Sequence, residues 1–168
     1  NEVDRFQVLI RPPSTLRVAA EALEVTGLDV EELSKTGMPE RSAILALLGF
    51  VAKNADGDGF PILAGWNVGF DHALLKAAWG RHGLGWPFSH RMMDVQSVWA
   101  FCWGWDFNGI THAASRVLGE APQHRALPDA LLTLRLLRML LEGWESSWRD
   151  AAQSAGEGPD HQRRAKSS

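Results

Sequence analysis

The stretch Pro61-Ile-Leu-Ala-Gly-Trp-Asn-Val-Gly-Phe-Asp-His-Ala-Leu-Leu75 changes its period halfway along. Pro61 to Trp66 is a short apolar run closed by a polar residue, the pattern of a buried strand. Phe70 to Arg81 reads as a helix, with Phe70, Leu74, Ala77 and Ala78 on one side. Asn67 stands at the N-cap, where its side chain is expected to accept from the free N–H groups of the helix start. Asp71 falls in the first turn, where the helix dipole favours an anion and should keep the carboxylate ionised. A strand that runs into a capped helix is one βα step. Repeated along the chain, such steps make an α/β domain with one sheet.

Reading outward, Phe6 to Ile10 is short, apolar and partly β-branched, and Pro12-Pro13 closes it, so it reads as a strand. Val18 to Glu24 and Val30 to Lys35 read as short helical pieces. Ser42 to Lys53 is a longer helix, with Ile44, Leu47, Leu48 and Val51 at helical spacing. Arg91 to Asp94 is a short strand or strand end. Helices are expected at Val95 to Phe101, Ile110 to Leu118 and Pro128 to Leu141. Residues 1–150 make one domain, and the small, polar segment 151–168 reads as a disordered tail. Three strands are few for so many helices. That deficit, with Asn rather than Met at position 1, leads to the expectation that the chain begins partway through a longer protein.

With 168 residues, of which 45% are hydrophobic and 22% charged, the chain has enough apolar material for a core. No apolar run reaches the length of a membrane span. The single cysteine, Cys102, excludes an internal disulfide and fits a reducing, cytoplasmic setting. A net charge of −3 is not the footprint of a protein gripping a long duplex. It does not exclude an enzyme that holds a few nucleotides through metal ions.

Asn54-x-Asp56-x-Asp58-Gly59 has the opening of a calcium loop, but position twelve is Gly65 where a bidentate Glu is required. It reads as a helix-to-strand turn. The histidines and the cysteine offer no zinc spacing. Neither a nucleophile elbow nor a phosphate loop is present. The stretch Gln123-His-Arg-Ala-Leu-Pro-Asp-Ala130 is more informative. Pro128 suits the first position of a helix, which fixes Asp129 in its first turn. His124 lies in the preceding loop. A held carboxylate beside a mobile imidazole suits a metal ligand beside a general base. A capped helix with an exposed loop histidine would carry the same residues.

Taken together, Asn67-x-x-Phe70-Asp71, Met93-Asp94-Val95 and His124-x-x-x-x-Asp129-Ala130 resemble the DEDDh 3′-to-5′ exonucleases, the group that includes the proofreading subunit of bacterial DNA polymerase III and ribonuclease T. Phe107 to Gly119 resembles the family's helix before its last motif, so the likeness runs from about Phe6 to Leu141. The resemblance implies a ribonuclease H-like fold, a central mixed sheet flanked by helices. It also implies two Mg²⁺ or Mn²⁺ ions and release of nucleotides from a single-stranded 3′ end of DNA or RNA, with a DNA polymerase subunit as a possible partner. Asp71 and Asp129 would be metal ligands, and His124 the catalytic base. Asn67, Phe70 and Trp66 would shape the substrate pocket. Many relatives carry His where this chain has Trp66. The indole suits either stacking on a base or the core.

The family also needs an Asp-x-Glu on its first strand. Ala22-x-Glu24, before Thr26-Gly-Leu-Asp29, mimics it with the first Asp lost. Its position matches a later segment of the family, beyond the third strand. Asp29-Val-Glu31 reads as an acidic helix start. The expectation is that the true pair, with the first two strands, lies upstream of Asn1. The alternative is a degenerate, non-catalytic module that binds nucleic acid or a protein partner. The tryptophan-rich segment Trp99 to Trp105 reads as core or as a partner surface.

Overall fold

The computed structural model describes residues 4–13, 20–55, 59–104 and 107–156. It is a mixed α/β structure. Helices α1 (Ala20–Thr26), α2 (Val30–Thr36) and α3 (Glu40–Asn54) precede strand β1 (Leu63–Gly65) and helix α4 (Val68–Arg81). Strand β2 (Met92–Asp94) then runs straight into α5 (Val95–Cys102). Helices α6 (Ile110–Leu118) and α7 (Ala126–Gly156) complete the order. The strands pair in parallel, with Leu63 opposite Met92 and Gly65 opposite Asp94. Among the described residues the sheet is this parallel pair and not the expected mixed sheet. The same residues include no helix long and apolar enough to cross a membrane.

The expected strand at Phe6–Ile10 does not form. The segment is extended, and its ladder is a single bridge between Ile10 and Met38. The Met38 N–H donates to Leu9 O and the Arg11 N–H to Met38 O, both at 2.8 Å. The rest of its docking is through side chains. Phe6 packs 5.4 Å from the Phe50 ring, and Asp4 accepts hydrogen bonds from Lys53 and Asn54 of α3. Gly37 makes this crossing possible. A Cβ there would lie 2.4 Å from the Leu33 carbonyl oxygen and 2.7 Å from the Arg11 nitrogen.

Two hydrophobic clusters hold the helices. Val95, Trp99, Ala113, Ala114, Leu132, Leu136 and Leu140 join α5, α6 and α7. Ile44, Trp79 and Phe88 join α3, α4 and the loop before β2. Strand β1 and its end touch both, since Leu63 packs on the second cluster and Trp66 on the first. Complete burial of a side chain such as Leu136 contributes about 1.5–3 kcal/mol. The expected apolar side of α4 is displaced. Phe70 and Leu74 are exposed, and the buried face runs through Val68, Leu75, Ala78 and Trp79. Helix α7 begins at Ala126, two residues before Pro128. Proline is tolerated there because the first-turn N–H groups have no partner inside the helix. The helix then continues to Gly156, past the boundary expected at 150. The remainder of the expected tail, and Asp56 to Asp58 of the calcium-like loop, lie outside the described residues.

The tryptophan-rich segment divides. Trp99 is fully buried, while Trp103 is partly exposed, stacked on Trp99 at 4.8 Å and covered by the Arg116 guanidinium. Trp105 lies outside the described residues.

Candidate functional site

The parallel pair ends at Gly65 and Asp94, and both chains turn there into helices. Asn67 makes the first turn in the left-handed region, at φ 54° and ψ 46°. Its side chain does not cap α4, contrary to expectation. A residue in that conformation does not have the extended backbone that an N-cap side chain needs to reach back to the helix. The turn is held instead by its backbone. The Asn67 N–H donates to Asp94 Oδ1 at 3.0 Å. The same oxygen accepts from the Gln96 N–H at 3.2 Å, and Oδ2 accepts from the Ser97 hydroxyl at 2.9 Å. Asp94 therefore caps α5 and clamps the β1–α4 turn at once. The sequence marks it only as a landmark between the other two motifs. Its place at a strand end before a helix was the available signal.

These turns open onto a cleft of about 520 Å³. Trp66, Phe70 and Asp71 line it from the β1–α4 side, and Asp129, Thr133 and Leu137 line it from α7. The two acidic residues named from sequence, separated by about a third of the chain, thus share one cavity. Of the two roles anticipated for Trp66, the packing against the core is seen, with its ring 6.4 Å from Trp99, and the residue also lines the cleft wall. His124 and Asn67 are not among the lining residues.

Asp129 is fixed from two directions. Its Oδ1 accepts the Gln123 N–H at 2.9 Å, which draws the preceding loop over the start of α7. Its backbone N–H donates to Arg125 O at 3.0 Å, and its carbonyl accepts the hydroxyl of buried Thr133. His124, next to Gln123, is exposed and held at φ 55°. That left-handed conformation is uncommon outside glycine, although histidine adopts it more often than most residues.

Asp71 departs from expectation in its electrostatics. Its side chain reaches solvent at the cleft mouth, yet desolvation by the surrounding walls pushes its carboxyl above the ordinary carboxylate value. Its own backbone N–H opposes this without cancelling it. Burial, not the helix start, therefore sets the direction of the shift at Asp71.

Carboxylate oxygens suit hard divalent cations. Two carboxylates on opposing walls are nevertheless too few to fix a pair of ions. Among the described residues no group of three or more His, Cys, Asp or Glu is gathered as a metal site. The donor set in hand does not constitute a two-metal centre. No protein-family model matches the chain, and comparison with curated proteins gives no match.

Proposed function

We propose that this chain carries most of a ribonuclease H-like 3′-to-5′ exonuclease domain that releases nucleotides from the single-stranded 3′ end of DNA or RNA. The supporting observation is the convergence of Asp71 and Asp129 on one cleft at the carboxyl end of the parallel strands. Ligands in open α/β sheets bind at that end. Trp66 and Phe70 beside the carboxylates offer aromatic surface for a terminal base. In this reading Asp71 and Asp129 would contribute oxygen ligands to Mg²⁺ or Mn²⁺, and the remaining ligands would have to come from elsewhere. An Asp-x-Glu pair of the kind the resemblance implies would supply the ligands that the described residues lack. Such ions neutralise the charge that builds up on a phosphodiester during hydrolysis. His124 takes the proton from the attacking water. To do so, the 121–125 loop must swing it from the surface to hydrogen-bonding distance, a rearrangement common on substrate binding. A polymerase partner would place the activity in proofreading, in the cytoplasm.

The test is single-nucleotide release from a labelled oligonucleotide in Mg²⁺ or Mn²⁺. The 168-residue chain should be inactive, and a chain extended upstream through an Asp-x-Glu strand should be active. In the extended chain, Asp129→Asn should abolish release. His124→Ala should slow it by about 10²- to 10⁴-fold. An extended chain that binds oligonucleotides without cleaving them would favour a non-catalytic binding module.

A further inference from the structure

Asp71 lines the cleft, but His72, the next residue, lines a different groove, bounded also by the loop before β1 and the loop before β2. This groove encloses about 570 Å³, which is within the range of small-ligand sites. Its floor is a rigid aromatic stack. Trp86 packs edge-on against Phe88 at 5.1 Å, Trp79 at 5.7 Å and His72 at 5.2 Å. Above it stands Phe60, whose ring is 70% exposed, beside Ile62 at 54%. A phenylalanine left that open at the rim of a concave site offers an unused π-face. The rest of the lining is polar, with two cations, Lys76 and Arg91, beside His72, His90 and Ser89. No acidic side chain is among the described lining residues. Neither the Lys76 ammonium nor the Arg91 guanidinium has a hydrogen-bonding or ion-pair partner among the described residues. On a chain of net charge −3 this is a local reversal of sign.

Exposed aromatic faces interleaved with unpaired cations match one ligand chemistry, an anionic backbone carrying flat bases. We propose that the groove binds single-stranded nucleic acid, with one base stacked on Phe60 and the flanking phosphates at Lys76 and Arg91. A duplex keeps its bases stacked on one another and offers no free face to Phe60. The proposal stands whether or not the cleft is a nuclease centre.

Binding of fluorescein-labelled DNA and RNA oligonucleotides to the full chain, measured by anisotropy in EDTA, tests it without hydrolysis. Phe60→Ala should weaken binding by roughly 5- to 100-fold. Phe60→Leu, which keeps the apolar bulk and loses the π-face, should weaken it similarly, and Phe60→Trp should restore it. The exposure of Phe60 makes all three compatible with folding, which an unchanged melting temperature confirms. Lys76→Gln together with Arg91→Gln should reduce the slope of log affinity against log salt by about 1.4, and Lys35→Gln on remote α2 should not change it. Asp71→Asn with Asp129→Asn should leave this binding intact, so failure of the nuclease reading and failure of the groove are separable. Absence of single-strand binding, equal affinity for duplex, or binding indifferent to Phe60 would overturn the proposal. So would displacement of the oligonucleotide by inorganic phosphate as readily as by a mononucleotide, which would reduce the groove to an anion site.

Discussion

Burial works against the charge of Asp71. The walls around it favour the protonated carboxyl, so its folded pKa lies above the ordinary value of 3.8. For an acid shifted upward, the folded state binds the proton more tightly than the unfolded chain does. Ionisation above the raised pKa therefore costs stability, and that cost fades as pH falls below the ordinary carboxylate range. Asp71→Asn keeps the shape and removes the charge. Its melting temperature at pH 7, in metal-free buffer, should exceed that of the native chain by roughly 1–3 °C. Near pH 3 the two should coincide. An Asn variant less stable at neutral pH would mean that Asp71 has a structural partner after all. Charges kept at a cost in a cleft are candidates for function, because stability alone gives no reason to keep them. Asp129 differs, since the Gln123 N–H gives its carboxylate a structural purpose as well.

At the scale of elements, the tightest constraint is the crossing of the extended N-terminal segment over the end of α2. Gly37 → Ala would press a methyl group on backbone atoms of both Leu33 and Arg11. Backbone cannot rotate away as a long side chain can. The substitution should cost about 1–3 kcal/mol, read as a lower urea midpoint with unchanged slope. An unchanged midpoint would show that the segment is not docked there. This crossing also shows what the sequence could reveal. Helices α5 and α6 were both expected, and their ends carry local signals: Gly119 closes one in the left-handed conformation, while Asp94, read from sequence only as a strand end, caps the other. The Phe6–Ile10 strand was misread because a β-branched run states only a preference, and a ladder needs a partner that the local sequence cannot name. The face of α4 was misread because two stripes have helical spacing, and only the fold decides that Trp79 rather than Leu74 turns inward. The cleft was partly legible. Asp71 and Asp129 each sit in the first turn of a helix, and both first turns border the same cleft. Asp94 as a clamp was harder to see, because its bond to the Asn67 N–H spans 27 residues.

For the molecule as a whole, the two clusters leave much of the joining to carboxylates. Asp4 ties the N-terminal segment to Lys53 of α3. Glu40 ties the start of α3 to Arg81 and His82 at the end of α4. Glu120 ties the turn after α6 to Arg135 of α7. Hydrogen bonds from these partners hold all three carboxyls low, Lys53 drawing Asp4 down to about 2, Arg81 acting first on Glu40 and Arg135 on Glu120. A depressed acid contributes stability above its unfolded pKa and loses it as pH falls through the folded one. The melting temperature should therefore be level near neutrality and fall from just above the ordinary carboxylate values, 4.5 for Glu and 3.8 for Asp, down toward pH 2. Asp71 opposes the trend with a single group, so the net slope has the sign of the three clamps. Not all three should matter equally. Lys53 and Arg135 are well exposed, and salt screens such pairs strongly. Glu40 is more enclosed, with 28% of its side chain exposed, and has two partners. Glu40→Gln should cost about 1 kcal/mol at pH 7, persist in 1 M NaCl better than Asp4→Asn or Glu120→Gln, and cost little near pH 2. If Glu40→Gln left the acid transition unchanged while Asp4→Asn flattened it, the N-terminal segment rather than the α3–α4 junction would be the joint that acid opens first.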